Sequence, residues 1–266
     1  MVEQHTTTSM SIEPSPIRWT SASRSHAGMV REVNEDACLE QPEHGLWAVA
    51  DGMGGHALGE FASRLAIRSL SDLPVPQNLE QYVDLAQERL QGANRRLRSE
   101  AALRDVPIIG TTIVALLASG RHVACLWAGD SRIYLCRAGR LRLLTRDHSE
   151  VEAARSRRHT NSDDTLLRPP ANLITRALGA EDTLEIDRAT VEVVDGDVFL
   201  LCSDGLSNEV SELAMEQALL PGNCRQASQA LLELALQHGG SDNITAVVVR
   251  AEDLDSPDRT AMLPVL

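Results

Sequence analysis

Twice in this chain an apolar run stops on an aspartate followed at once by glycine. LWAVADG closes on Asp51-Gly52, and DVFLLCSDG closes on Asp204-Gly205. A third segment, GGSDNITAVVV, sets Asp242 just ahead of another apolar run. An ionised carboxylate at the end of a buried strand is costly unless it is paired or bound to a cation. A glycine right after it lets the backbone turn sharply and brings a carbonyl oxygen close to a ligand. Asp-Gly is also a common turn pair, so each site alone is weak evidence. Three aspartates at strand ends can nevertheless converge on one edge of a sheet sandwich. An all-oxygen site of that kind suits Mg²⁺ or Mn²⁺ rather than zinc. No HExxH sequence or Cys/His cluster competes for the role.

The composition narrows the class. A chain of 266 residues suits one large domain or two small ones and can bury a sizeable core. Aromatic residues make up only 3%, so that core has to be built from Ala, Val, Leu and Ile. A formal net charge of -13 repels nucleic-acid phosphate and argues against a nucleic-acid partner. The five cysteines, Cys38, Cys125, Cys136, Cys202 and Cys224, form no CxxC pair. That argues against a disulfide framework or a zinc site and for a reducing compartment, with free thiols serving as small core residues. The opening MVEQHTTTSMSIEPSPIRW has no basic-then-apolar leader pattern. No apolar run approaches the ~18 residues that span a bilayer. A cytoplasmic protein without membrane insertion is expected.

Residues 1–15, rich in Thr, Ser and Pro, are expected to form a disordered tail, and 253–266 a second tail, around one domain at 16–252. Strands are expected at 46–50, 111–119, 122–129, 132–139, 197–203 and 243–250, where β-branched or apolar runs are bounded by Gly or Asp. AGDS at 128–131 and AGR at 138–140 read as turns joining neighbouring strands into a meander. Apolar positions near a 3.6 period predict helices over 59–73 and 78–101, and further helices over 211–219, opening on a capping box, and 227–239, ending at Gly239. This order is not the strict alternation of a parallel doubly wound sheet and fits an α+β domain with antiparallel sheets. Residues 147–175, charged and carrying Pro169-Pro170, read as a surface insertion.

Other residues bear on chemistry. Glu35-Asp36 is either a solvated acidic turn or part of the same oxygen site. Arg31 lies four residues before Glu35. If that segment is extended, Arg31, Val33 and Glu35 share a face, and the guanidinium could clamp a phosphate bidentately or form a plain surface ion pair. The glycine-rich DGMGGHALGE (51–60) is neither a Walker A loop nor GxGxxG.

Eight segments in order, VREVNEDA, WAVADGMGGHALGEFAS, GTTIVALL, WAGDSRIYLCRAG, LTRDHSEV, NLITRALG, DVFLLCSDGLSNEV and GGSDNITAVVV, closely resemble the PPM-type, protein phosphatase 2C-like family in its bacterial form. They span roughly residues 24–250. The resemblance implies a four-layer α-β-β-α sandwich, two antiparallel sheets flanked by helix pairs, with the site in a cleft at one end and 147–175 as a flap beside it. It implies metal-dependent hydrolysis of phosphoserine and phosphothreonine in proteins, opposing a Hanks-type serine/threonine kinase. By the resemblance Asp51 bridges two Mn²⁺ or Mg²⁺ ions together with the Gly52 carbonyl, and Asp204 and Asp242 complete one ion's ligands. Glu35 and Asp36 act at the second ion, largely through water. Arg31 binds substrate phosphate, and Asp130, in GDSR, helps hold a third ion, or is simply a hairpin residue. A water between the two ions attacks phosphorus in line, so no cysteine nucleophile is expected. Eukaryotic relatives carry a histidine where Met53 stands here, and that role is not transferred to His56. Arg155, Arg157 and Arg158 in the flap either meet an acidic phosphoprotein or form a solvated face. Two other readings remain: a catalytically weak binding or regulatory module on the same fold, disfavoured because Asp51, Asp204 and Asp242 are all present, and another two-metal enzyme such as a nuclease, disfavoured by the acidic surface and the few aromatics.

Overall fold

Alternation inside the apolar runs decides the layering. In strand β3 (Leu46–Met53), Leu46, Ala48 and Ala50 point into a core shared with helices, while Trp47 and Val49 point the other way. Strand β10 (Val198–Cys202) splits likewise, Val198, Leu200 and Cys202 against helices and Phe199 and Leu201 inward. Strands apolar on both faces need cover on both, and two sheets stacked between two helical layers provide it. The computed structural model describes residues 17–55, 57–74, 76–152, 174–220 and 222–255.

One sheet joins β1 (Ile17–His26), β11 (Ile244–Asp253), β10, β7 (Arg132–Arg137) and β8 (Arg140–Leu143) in that order. The other joins β2 (Asp36–Gln41), β3, β5 (Ile113–Ser119), β6 (His122–Ala128) and β9 (Asp187–Glu192), and the short β4 (Gly110–Thr111) pairs with the end of β3. Every pairing is antiparallel. Helices α1 (Ala57–Ser71) and α2 (Leu79–Leu103) cover the second sheet. Helices α3 (Asp204–Ser207), α4 (Glu212–Leu219) and α5 (Cys224–Gln237) cover the first. This is the expected α+β four-layer sandwich. No helix among the described residues is long and apolar enough to cross a membrane.

Several expectations need correction. AGDS at 128–131 does not make a hairpin: β6 and β7 lie in different sheets, so the turn carries the chain across the sandwich. AGR at 138–140 does join β7 to β8. Residues 27–35 are a loop with a turn, not an extended strand, so Arg31, Val33 and Glu35 do not share a face by alternation. Ser211 caps α4 by accepting from the Ala214 amide, but Ala214 cannot reciprocate. The full capping box belongs to α5, between Asn223 and Gln226. Strands β1, β2, β8 and β9 went unpredicted because they are polar or half-polar, and pairing rather than composition makes them strands. The base of the 147–175 insertion is closed by a Ser149–Ile174 bridge. Residues 1–15, His56, Arg155, Arg157, Arg158 and most of both the insertion and the 253–266 tail lie outside the described residues.

Candidate metal centre and active site

Five aspartates from five separate segments meet at one end of the sandwich. Asp36, at the start of β2, is the register partner of Asp51 on β3. Like charges directly opposite on neighbouring strands repel. Asp204 opens α3, and Asp242 immediately precedes Asn243 and β11. Asp130 sits in the crossover between β6 and β7.

Their electrostatics follow from burial plus mutual repulsion. Burial pushes the Asp36 carboxyl up to about 7, Asp204 and Asp242 add to it, and the Thr245 and Ser203 hydroxyls oppose it. Asp51 is driven well above the usual carboxylate range by burial, then by Asp36, Asp204, Asp130 and Asp242. Asp130 is pushed up to about 7 by burial, then by Asp204 and Asp147. Asp204 is raised by burial and by Asp242, against hydrogen bonds from Asp51 and Asn208.

Two oxygens test whether the set fits a cation. Asp36 Oδ1 and Asp130 Oδ1 are buried without a hydrogen-bond partner. Buried anionic oxygens without donors are stable only opposite positive charge, and an all-carboxylate set with no thiol or imidazole matches hard divalent ions. The fit is good in chemistry. Among the described residues no three of these side chains yet converge on one point. Asp51 is engaged with Asp204, and Asp242 Oδ2 accepts from Arg31 Nη2 at 2.8 Å, so a cation has to displace both contacts.

The loop that carries Arg31 is pinned by Asn243. Its Nδ2 donates to the Ala27 and Val33 carbonyls at 3.0 and 2.9 Å, and its Oδ1 accepts the Glu35 amide at 2.7 Å. Arg31 keeps 54% of its side chain exposed, so most of its donors face solvent beside the carboxylates. The Glu35 side chain lies against Gly59 in the first turn of α1, where a helix N-terminus favours negative charge. Gly52 fills a place no side chain could take: a Cβ there would stand 2.1 Å from the Gly59 carbonyl oxygen and 2.7 Å from that of Glu35.

The family model described as Protein phosphatase 2C matches residues 22–233. The chain belongs to this family. It is 36% identical over 251 residues to the serine/threonine phosphatase stp of Listeria monocytogenes, covering 90% of this chain and 98% of that protein. It is 35% identical over 235 residues to the serine/threonine protein phosphatase PstP of Mycobacterium tuberculosis, covering 88% of this chain but 45% of that protein; the chain thus spans about half the length of that relative. The structure of PppA, described as a key regulatory component of T6SS in Pseudomonas aeruginosa, is 44% identical, matches 90% of this chain and 100% of that one, and gives a TM-score of 0.83. The PstP catalytic domain in complex with two manganese ions is 35% identical, with the same coverages and a TM-score of 0.78.

In this protein phosphatase 2C chain, hydroxyl and amide side chains that the sequence reading passed over set the carboxylates in place. Thr111 Oγ1 and the Thr112 amide donate to the Asp51 carbonyl at 2.8 and 2.9 Å, and Thr112 Oγ1 accepts the Asp51 amide at 3.0 Å. Thr112 Oγ1 also pairs with Ser131 Oγ at 2.7 Å. Gly129, at φ 117°, presses so close that a Cβ would lie 2.7 Å from Thr112 Cβ. GTT and GDS thus lock the Asp130 turn onto Asp51. His148, held neutral by burial, accepts from the Gly129 amide at 3.2 Å and braces the same turn. Ser203 Oγ donates to Asp36 Oδ2 at 2.8 Å. A hydroxyl or amide one residue from a strand-end aspartate is the signal that could have found Ser203, Asn243 and Ser131.

Asn243→Ala should loosen the Arg31 loop without touching a carboxylate. It leaves two carbonyls and one amide without partners, each deprived of a hydrogen bond worth roughly 1 kcal/mol or more. The expected result is a fall of roughly tenfold in catalytic efficiency, mostly as a raised KM. An unchanged KM in steady-state assays would show that Asn243 does not position the loop.

Proposed function

We propose that this chain is a metal-dependent phosphatase of phosphoserine and phosphothreonine in proteins. The observation that carries the reading is the meeting of Asp36, Asp51, Asp130, Asp204 and Asp242 with partnerless buried oxygens on Asp36 and Asp130. The assigned holders are Asp51 with the Gly52 carbonyl for two Mn²⁺ or Mg²⁺ ions, Asp204 and Asp242 for one of them, Asp36 and Glu35 for the other, and Asp130 for a third. When bound, such ions supply a water acidic enough to attack near neutral pH and neutralise charge on the phosphoryl oxygens.

The chain's own residues do the rest. Arg31 presents its fork to the phosphate and fixes it for in-line attack. Asp36, its Oδ2 held by Ser203 Oγ at 2.8 Å, is fixed beside the site, where it orients the attacking water. Water's oxygen bonds to phosphorus as its proton passes to solvent, the bond from phosphorus to the Ser or Thr oxygen breaks, that oxygen takes a proton from solvent, and inorganic phosphate is released. Thiol catalysis is disfavoured: Cys125 and Cys202 are buried and pushed up to about 12, so neither supplies a thiolate. A weak binding module on this fold is disfavoured because every assigned carboxylate is present.

The finer reading places 16–252 as the phosphatase domain, with a flap at 147–175 and tails at 1–15 and 253–266, in the cytoplasm, acting on Ser/Thr phosphoproteins and opposing a cognate Hanks-type kinase. The 44% identity to PppA supports a regulatory role rather than a metabolic one. The purified protein is expected to hydrolyse p-nitrophenyl phosphate and phosphothreonine peptides with Mn²⁺ and to stop in EDTA. Full activity in EDTA would refute the metal assignment, and a preference for phosphotyrosine peptides would refute the substrate class.

A further inference from the structure

All 25 basic side chains of this chain are arginines. Arginine is the residue suited to bidentate recognition of carboxylate and phosphate. Five of them, Arg64, Arg68, Arg89, Arg95 and Arg96, line one groove of about 750 Å³ between α1 and α2. The groove takes residues at helical spacing from Ala57 to Ser69 on one wall and from Leu85 to Arg96 on the other. Only two acids share it, Glu60 and Glu88, and Glu60 is tied to Arg64 at 2.6 Å. Among the described residues Arg68, Arg89, Arg95 and Arg96 have neither an ion pair nor a side-chain hydrogen bond. Half-buried Phe61, Leu65 and Leu85 form the floor.

Four cations without a partner among the described residues, gathered on one helix pair, repel each other, and an anionic segment lying between them relieves that repulsion. In a chain of net charge -13 they are a local reversal of sign. The net charge of the chain repels an acidic partner while this strip draws it in, which orients as well as attracts.

The groove also has a direction. The helices run antiparallel, since Arg104, just past the end of α2, stacks over Phe61 near the start of α1 at 5.7 Å. Arg95 and Arg96 therefore line the half nearer Ala57, and Arg68 and Arg89 the far half. The near end lies at the start of α1, the end of the helix that packs on the candidate active site, since Gly59 in its first turn lies against Gly52. From Ala57 to Ser69 the groove runs about 18 Å at 1.5 Å per residue, room for five or six extended residues.

We infer that this groove receives an acidic segment of the phosphoprotein substrate, leading away from the phosphorylated residue. This rests on the phosphatase reading above and adds a specificity determinant to it. The arginines hold the segment and touch no reacting atom, so they position substrate rather than catalyse.

The test uses the whole chain and a variant with Arg68→Ala, Arg89→Ala, Arg95→Ala and Arg96→Ala, all four exposed, with equal melting temperatures as the folding control. Fluorescence anisotropy of an unphosphorylated Glu/Asp-rich ten-residue peptide and a neutral one of equal length reads the groove directly. The acidic peptide should bind the variant roughly tenfold more weakly than the wild type, and high salt should remove the difference. An acidic extension on a phosphothreonine peptide should raise wild-type catalytic efficiency roughly tenfold, through KM, and do nothing for the variant, while p-nitrophenyl phosphate turnover stays equal in both. Equal binding of the acidic peptide by both proteins would overturn the proposal. Arginine-dependent binding in a protein that hydrolyses nothing would overturn the phosphatase reading and leave the docking groove standing.

Discussion

Asp51→Asn is expected to lower kcat/KM by about 10³-fold or more while leaving the metal-free protein as stable as the wild type or more so. The two effects have one cause. Asp51 is buried opposite Asp36 and within the field of Asp204, Asp130 and Asp242, so its charge opposes folding when no cation compensates it. Asparagine keeps the volume but replaces one carboxylate oxygen with an amide nitrogen, which removes the charge and one of the two oxygens that would hold the ions. In EDTA the variant should melt a few degrees higher than the wild type, and Mn²⁺ should add little to it. Hydrolysis assays and thermal melts with and without Mn²⁺ decide the matter. A variant that keeps even a tenth of the wild-type activity, or melts far below wild type in EDTA, would remove Asp51 from the centre of the site.

Adding Mn²⁺ to the wild type at about 100 times its Kd should raise the melting temperature by about 5 to 10 °C at neutral pH, with the gain growing as pH rises. The sign follows from the shifts. The Asp36 and Asp130 carboxyls are lifted to about 7, and those of Asp51 and Asp204 are raised above the usual carboxylate range. Between about pH 4 and 7 the folded metal-free chain therefore holds more protons than the unfolded chain, and its stability falls as pH rises through that window. A bound cation keeps the same carboxylates ionised, so below about pH 7 binding must expel protons and is weaker. Calorimetry in buffers of differing ionisation enthalpy should record proton release at pH 6 and much less at pH 8. A melting gain independent of pH, with no protons released, would mean the ions bind elsewhere.

The layering and part of the site were legible from residue order. Trp47 and Val49 alternating with Leu46, Ala48 and Ala50 require cover on both faces of β3, and the same holds for β10. The strand-end aspartates Asp51 and Asp204 stand out because burial makes their charge conspicuous in an apolar run. Asp130 was less legible, since GDS reads equally well as a hairpin, and only the observed change of sheet between β6 and β7 explains its approach to Asp51. The polar edge strand β1 was illegible, because its strand character comes from ten backbone pairings with β11 and not from its side chains.

Local chemistry, written in residue type and spacing, was enough to predict the α+β class, the apolar strands and the acidic candidates. Which of those acids are neighbours depends on contacts between residues as far apart as Glu35 and Asn243, or Asp51 and Thr112, and on hydroxyls whose value lies entirely in what they touch. The arginine groove shows the same division. Its residues are spaced along two helices in the sequence, but the helices had to pack side by side before scattered cations became one surface.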